Sequence, residues 1–485
     1  MRGGIAESDY YLNFASTYHP VLFTQFILLF MKRLSSILVA IAVALQGLAG
    51  IDGQWTGTLK VPQANLELKL NFNFGTDDNG AATCTLDSPD QNAFGIPCNS
   101  VSISDSSVSV EVSSLRASFT GTPQGDSIAG TFKQGVASMP LTLRRSISPM
   151  KPKERAQTPQ PPFPYTVREV AITNIADGLT LAGTLTMPEN AKNVPAVVMI
   201  TGSGAQNRDE ELFGHRPFAV IADHLTRCGF AVLRYDDRGT AKSSGNFAKA
   251  TTKDFARDAK AAFDFLASIP EINKKKIGYL GHSEGGQIAL INASTDSRVA
   301  FIVTLAAPAI KGRDLILRQN EMIFEASSGM RIPDDALAKV TQMLDAIDRS
   351  TNADALRKEL ESTLGLSDVP EAQQAMVRQQ IETSVSPWYT NFIKYDPTEA
   401  IKAVKCPIFA LGGTFDVQVE ADTNLGAIKA LISSKRIETK SYPGLNHLFQ
   451  HCASAMEGLN YGKIEETIAP EVLDDIARWL KTSTK

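Results

Sequence analysis

The residues best suited to covalent chemistry are Gly281-His282-Ser283-Glu284-Gly285, a serine with glycines two positions to either side. They lie within KKIGYLGHSEGGQIALINAS, residues 275–294. An apolar run (Ile277, Tyr279, Leu280) precedes the serine and a helical run (Ile288, Ala289, Ile291) follows it, which predicts strand, sharp turn, helix. The pattern G-x-S-x-G is that of a nucleophile elbow, where a strained backbone lifts the hydroxyl clear of the sheet. Glycines at those two places leave room for strand and helix to pass closely.

A serine hydroxyl is a weak nucleophile at neutral pH and needs a base, which in turn needs an acid to orient it. In a sheet of this type the acid and then the histidine follow the serine along the chain, each after a late strand. The strand PIFALGG (407–413) runs into GTFDVQV, which places Asp416 at its end; Glu420 and Asp422 lie farther on and begin a helix. The run RIETKSY leads into PGLNHLFQ, which offers His447, with His451 as its rival four residues later. His215 and His224 read as packing or surface residues, and His282 as a residue that shapes the turn without being the base. An oxyanion needs backbone amides aimed at it. The amide of Glu284 is one, and the amide of Ser203, in the Gly202-Ser203-Gly204 turn after PAVVMIT (195–201), is the expected second. This chemistry requires no cofactor. The five cysteines contain no C-x-x-C, and no metal site is expected.

Around these residues, strands and helices alternate from about residue 166. REVAITN and LTLAGTLTMP predict an opening hairpin, and PAVVMIT, FAVLRY (230–235), the elbow strand, VAFIVTLAAP (299–308), PIFALGG and RIETKSYPG predict further strands. TKDFARDAKAAFDFLASI (252–269) has helical spacing. The order predicts an α/β domain with a mostly parallel sheet over 166–485. It breaks at about 312–398, which is helical and polar and predicts a cap inserted between two strands. An insertion leaving the carboxyl end of a strand should lie over Ser283. Trp388 and Tyr389, where the chain returns to the sheet, are the candidate pocket residues.

Upstream the texture differs. Residues 51–147 alternate in period two (Leu66, Leu68, Leu70, Phe72, Phe74; Val108, Val110, Val112), with turn clusters GTDDNG and TPQGD between runs. That predicts a small antiparallel β domain, which holds Cys84 and Cys98 and is too small for a propeller. Residues 148–165, rich in proline and charge, predict a stiff extended linker. Met31-Lys32-Arg33 followed by LSSILVAIAVALQGLAG has the basic start, apolar stretch and small-residue end of a secretory signal. The expectation is that translation starts at Met31, that residues 1–30 are an upstream extension, and that cleavage near residue 50 gives a periplasmic or secreted protein without a stable membrane anchor. Such a compartment permits a Cys84–Cys98 disulfide. The net charge of −4 gives no reason to expect nucleic acid as a partner.

Taken together, ITGSGAQNRDE, RYDDRGTAKS, GHSEGG, GTFDVQV and PGLNHLFQ resemble the α/β-hydrolase superfamily, and most of all bacterial secreted esterases distantly related to prolyl oligopeptidase-type peptidases. The resemblance covers roughly residues 166–485. It implies Ser283 as nucleophile, Asp416 as acid and His447 as base. Relatives usually read GSGPQDRD where this chain has Ala205 and Asn207, so the role of that loop beyond its oxyanion amide does not carry over. They also often carry a β-rich domain ahead of the hydrolase. The reading that follows is a hydrolase of small-molecule carboxylic esters. Two alternatives remain: a serine peptidase using the same residues, and a non-catalytic binding protein on the same fold. Acyl and alcohol specificity and oligomeric state are not encoded in any of these motifs.

Overall fold

The computed structural model describes residues 51–485 apart from 62–65, 78–79, 92, 113–114, 116, 136, 147–153 and 433–435. The expected signal and upstream extension, and the first part of the expected linker, lie outside the described residues.

The chain divides into two compact units. The first ends at Lys153 and also takes in Leu212–Gly214 and Leu366–Gln380. Its strands are β1 (Gly53–Val61), β2 (Leu66–Thr76), β3 (Ala82–Ser88), β4 (Ala93–Pro97), β5 (Ser100–Ser104), β6 (Ser107–Val112), β7 (Ala117–Gln124), β8 (Ser127–Gln134) and β9 (Ala137–Ser146). They form one antiparallel sheet in the order β4-β3-β2-β1-β9-β8-β7-β6-β5. Period two puts every second side chain on one face, and that face is the core: Trp55, Leu70, Phe72, Val108, Val110, Phe119 and Leu143 are all buried. Cys84 and Cys98 lie across β3 and the end of β4, where the Cys98 amide donates to the Cys84 carbonyl at 3.1 Å. Both thiols are free in this structure rather than bridged. Each lies within hydrogen-bond reach of the other, and that contact, with burial, pushes the Cys84 thiol far up.

The second unit comprises Glu154–Glu211, His215–Gly365 and Ile381–Lys485. Its first residues are not the free spacer that their composition suggests. Arg155 is buried, donating to the carbonyls of Gly462 (2.9 Å) and Ile464 (2.7 Å), and Gln157 donates to Ile468 and accepts from Thr467. A guanidinium satisfies several buried carbonyls at once, so this segment is anchored.

The sheet contains β10 (Tyr165–Asn174), β11 (Leu179–Pro188), β12 (Val194–Ile200), β13 (Ala231–Tyr235), β14 (Ile272–His282), β15 (Ile302–Leu305), β16 (Ile408–Gly413) and β17 (Ile437–Tyr442). The order is β10-β11-β13-β12-β14-β15-β16-β17. The β10/β11 and β11/β13 pairs are antiparallel and the rest parallel. Continuous apolar runs suit strands buried on both faces, and β13, β15 and β16 are buried throughout. Between strands run α1 (Pro217–Arg227), α2 (Thr252–Ser268) and α3 (Glu284–Thr295). The insertion after β15 is α4 (Gly312–Ser328), α5 (Asp334–Arg349), α6 (Ala353–Thr363), α7 (Glu371–Ser384) and α8 (Pro387–Lys394). Then come α9 (Thr398–Ala403), α10 (Ala421–Leu431), α11 (Ala455–Gly458) and α12 (Pro470–Ser483). This is the α/β-hydrolase arrangement: a mostly parallel sheet, helices on its faces, and a helical insertion after a central strand.

Candidate active site

Three central strands, β12, β14 and β16, deliver the site at their carboxyl ends. The β14-to-α3 turn is sharp. Ser283 has φ 52° and ψ −122°, a conformation that costs a non-glycine residue strain. A Cβ on Gly281 would come within 2.1 Å of the Gly285 carbonyl oxygen, and one on Gly285 within 2.1 Å of that of Ile200. Only glycine fits either place, which is why the motif has its spacing. The Ser283 amide is held by the Leu305 carbonyl (2.7 Å) on the neighbouring strand. Glu284 is the first helical residue, and an amide at that position has no partner within its helix.

Asp416 follows β16 and is buried. Its Oδ1 accepts the amides of Gln418 (2.8 Å) and Val419 (2.9 Å), which fixes the carboxylate. Its Oδ2 accepts from His447 Nδ1 at 2.7 Å. A carboxylate only accepts, so Nδ1 carries a proton, and in the neutral tautomer this fixes, Nε2 is the nitrogen that can accept. Among the rivals, Glu420 is the N-cap of α10 and pairs with Arg318, Asp422 lies in that helix's first turn, and His451 is a surface residue between Glu466 and Glu471.

The turn after β12 touches the serine. A Cβ on Gly202 would lie 3.2 Å from that of Ser283. The Gly202 amide is occupied by Glu210 Oε1 at 2.6 Å. Ser203 is buried, and its side chain is among the groups that lower the Glu284 carboxyl. The chain's departure at Asn207 has a structural use: its Oδ1 accepts the amides of Asp209 and Glu211. Arg208 grips Asp236 through Nε (2.9 Å) and Nη2 (2.8 Å), and Asp237 takes Thr201 and the Gln206 amide, so the loop is tied to the end of β13.

Two side chains beside Ser283 have surroundings that no motif announced. The Glu284 carboxylate is 2% exposed. It accepts Thr252 Oγ1 at 2.6 Å and the Trp388 indole Nε1–H at 3.0 Å to each oxygen. Burial pushes this carboxyl up, and the donors from Thr252, Trp388 and Ser203 only partly offset that. His282 has Nδ1 2.9 Å from Glu210 Oε1 and Nε2 3.0 Å from the His447 carbonyl oxygen, and its ring centroid lies 4.7 Å from that of His447. The elbow and the histidine loop are thereby brought together. Trp388, in the last helix of the insertion, is joined to the residue after Ser283 and stacks on Phe392 at 5.4 Å. Tyr389 packs at 6.0 Å from Trp388, and burial pushes its phenol up.

His215 is buried between Thr467 and Tyr461, and His224 faces Asp474, so neither belongs to this cluster. Among the described residues no group of three or more His, Cys, Asp or Glu side chains could hold a metal ion. No described helix is long and apolar enough to cross a membrane.

The profile of the family described as X-Pro dipeptidyl-peptidase (S15 family) matches residues 177–442, more than half the chain, and the chain belongs to that family. It is 24% identical over 303 residues to esterase EstD of Thermotoga maritima, covering 62% of this chain and 65% of EstD. It is 31% identical over 130 residues to the uncharacterized protein PA2218 of Pseudomonas aeruginosa, covering 26% of this chain and 33% of that one. The chain thus spans less than two thirds of either relative. The crystal structure of the α/β hydrolase GrgF from a Penicillium species aligns with a TM-score of 0.41 at 20% identity, over 66% of this chain and 99% of GrgF. The second unit has the α/β-hydrolase fold.

Proposed function

We propose that this chain is a serine hydrolase that cleaves carboxylic esters of small molecules through an acyl-enzyme on Ser283. The observation that carries the reading is the buried Asp416–His447 pair, 2.7 Å apart, whose imidazole ring lies 4.7 Å from that of His282, the residue before a serine at φ 52°. In this reading His447 Nε2 takes the Ser283 proton as Oγ attacks the acyl carbon, and returns it to the leaving alkoxide. Asp416 holds the tautomer and stabilises the imidazolium. The amides of Glu284 and Ser203 receive the oxyanion. Water, activated by His447, then attacks the acyl carbon and frees Ser283. Trp388 and Tyr389 form part of the acyl pocket.

Peptide cleavage is the second reading, favoured by the family match. Dipeptide release requires a carboxylate that anchors the substrate's amine. The carboxylate adjacent in sequence to the nucleophile, Glu284, is buried and committed to Thr252 and Trp388. That supports the ester. A short p-nitrophenyl ester and an X-Pro p-nitroanilide, compared on one preparation, separate the two. Ser283→Ala should lose on the order of a million-fold in turnover. Faster turnover of the anilide would replace the ester reading with the peptidase. No turnover of either substrate, with no fluorophosphonate labelling of Ser283, would leave a binding protein.

A further inference from the structure

We propose that Glu210 and His282 are positioning residues for this reaction: a buried carboxylate–imidazolium pair that fastens the oxyanion turn to the His447 loop. The inference rests on the assignment of Ser283 and His447 above.

The protonation state follows from geometry. His282 Nε2 faces the His447 carbonyl oxygen at 3.0 Å, and a carbonyl can only accept, so Nε2 carries a hydrogen. Nδ1 faces Glu210 Oε1 at 2.9 Å, and the same oxygen accepts the Gly202 amide at 2.6 Å. Oε1 already serves as an acceptor for the Gly202 amide, so the hydrogen in its contact with Nδ1 lies on the ring, and Nδ1 carries one too. The ring is an imidazolium. Both side chains are nearly buried, at 7% and 6% exposure. Burial by itself would push the His282 imidazole down; the Glu210 carboxylate outweighs it and the net shift is up, with Asp416 adding to it. The groups facing His282 are Glu210 from the loop after β12, His447 from the loop after β17, and Asp416 from the end of β16.

The consequence is a continuous bridge. It runs from the Gly202 amide through Glu210 and the His282 ring to the His447 backbone. Its members come from two loops and the end of β14, with partners 72 and 165 positions apart in the chain. Glu210 is held at φ 51°, a left-handed conformation that a non-glycine residue adopts at a cost. Neither residue touches substrate. The bridge sets where the oxyanion amides stand relative to the base. Displacement by an ångström in such a site costs about a hundredfold in rate. As pH rises past the raised His282 value, the ring loses a proton, the bridge loses one of its two bonds, and turnover falls.

The test uses three conservative variants of the full chain, assayed for kcat and KM against pH on a p-nitrophenyl ester, with melting temperature beside each. In His282→Asn the amide replaces Nδ1 and nothing reaches the His447 carbonyl, so kcat should fall about a hundredfold with KM little changed. In His282→Gln the amide replaces Nε2, so more of kcat should survive. Both should lack the wild-type alkaline limb. Glu210→Gln should keep the limb but move it to lower pH, because the ring has lost the carboxylate that retains its second proton. An independent measurement, the ring-nitrogen NMR signals of His282 in Ser283→Ala protein, should show both nitrogens still protonated above the ordinary imidazole value of about 6.5. A single protonated nitrogen, an unmoved limb in Glu210→Gln, or rate losses that only track melting temperature would overturn the proposal. Should wild-type protein turn over no ester and take no fluorophosphonate, the functional reading fails, and the NMR signals still decide the pair.

Discussion

Replacing Trp388 with phenylalanine isolates one bond. Phenylalanine keeps a ring stacked on Phe392 and packed on the hydrolase core, and removes the indole N–H that spans both Glu284 oxygens at 3.0 Å. The carboxylate is 2% exposed, so water cannot replace the donor. A hydrogen bond to a buried charged group is worth about 1.5–3 kcal/mol, and one to a neutral group about 1 kcal/mol. The sign with pH follows from the direction of the shift. Glu284 is raised in the fold, so its neutral form stabilises the protein at low pH, and that contribution is lost as pH rises through the folded value. Trp388→Phe removes a group that lowers the carboxyl, raises it further, and so costs more at high pH. The expected loss is about 2 kcal/mol above the folded value, where the carboxyl is charged, and about 1 kcal/mol below it, where the carboxyl is neutral. Thermal melts on either side of that value read it, as a fall of roughly 3 °C on the alkaline side for a unit of this size. In a Glu284→Gln background the pH dependence of the loss should vanish. Equal losses at both pH values, or the same pH dependence without the carboxylate, would refute the reasoning. Trp388→Ala, which also empties the ring's volume, should in addition reorder the preference among p-nitrophenyl esters of different acyl length. A stability loss with unchanged ranking would make Trp388 a packing residue only.

Asp416→Asn should lower kcat about ten-thousandfold with the fold intact: the amide cannot accept from Gln418, Val419 and His447 all at once, and turnover within tenfold of wild type would remove Asp416 from the mechanism. Cys84 and Cys98 should bridge on oxidation, since their thiols already meet. The closed loop of about 15 residues is worth up to roughly 3 kcal/mol, and intact mass should be lower by two hydrogens before reduction than after it; equal masses would contradict this. N-terminal sequencing of protein recovered from its native host should begin near Gly50 or Ile51, and recovery of a chain that includes residues 1–30 would contradict the Met31 start.

The fold was legible where local pattern and tertiary demand coincide. Strands such as β13 and β16 are continuous apolar runs because they are buried on both faces, and β1–β9 alternate because one face is buried. Where backbone geometry interrupts a pattern, composition misleads. VAFIVTLAAP reads as a ten-residue strand, yet β15 has only Ile302–Leu305. Ala306 takes φ 51° and turns the chain out of the sheet, although its side chain is as apolar as those before it. Residues 154–164 read as a spacer because proline and charge stiffen a chain. Nothing in that composition says that the carbonyls of Gly462 and Ile464 stand where the Arg155 guanidinium can reach them.

The candidate site divides along the same line. Ser283, Asp416 and His447 could be put forward as candidates because each follows a strand end whose position the chain order dictates, and because the elbow's glycines are required by contacts of 2.1 Å that any other residue would break. Glu284 was visible only as an amide donor. Its side chain depends on Trp388, 104 residues away, and Glu210 on His282, 72 residues away. Such partners leave no periodicity and no spacing rule. A buried carboxylate must be paired or hydrogen-bonded to persist. The acidic residue inside a G-x-S-x-G motif therefore implies that some distant donor exists, while only the fold can say which one. In this chain one donor is an indole from the insertion, so the helical cap and the nucleophile elbow are coupled through one carboxylate.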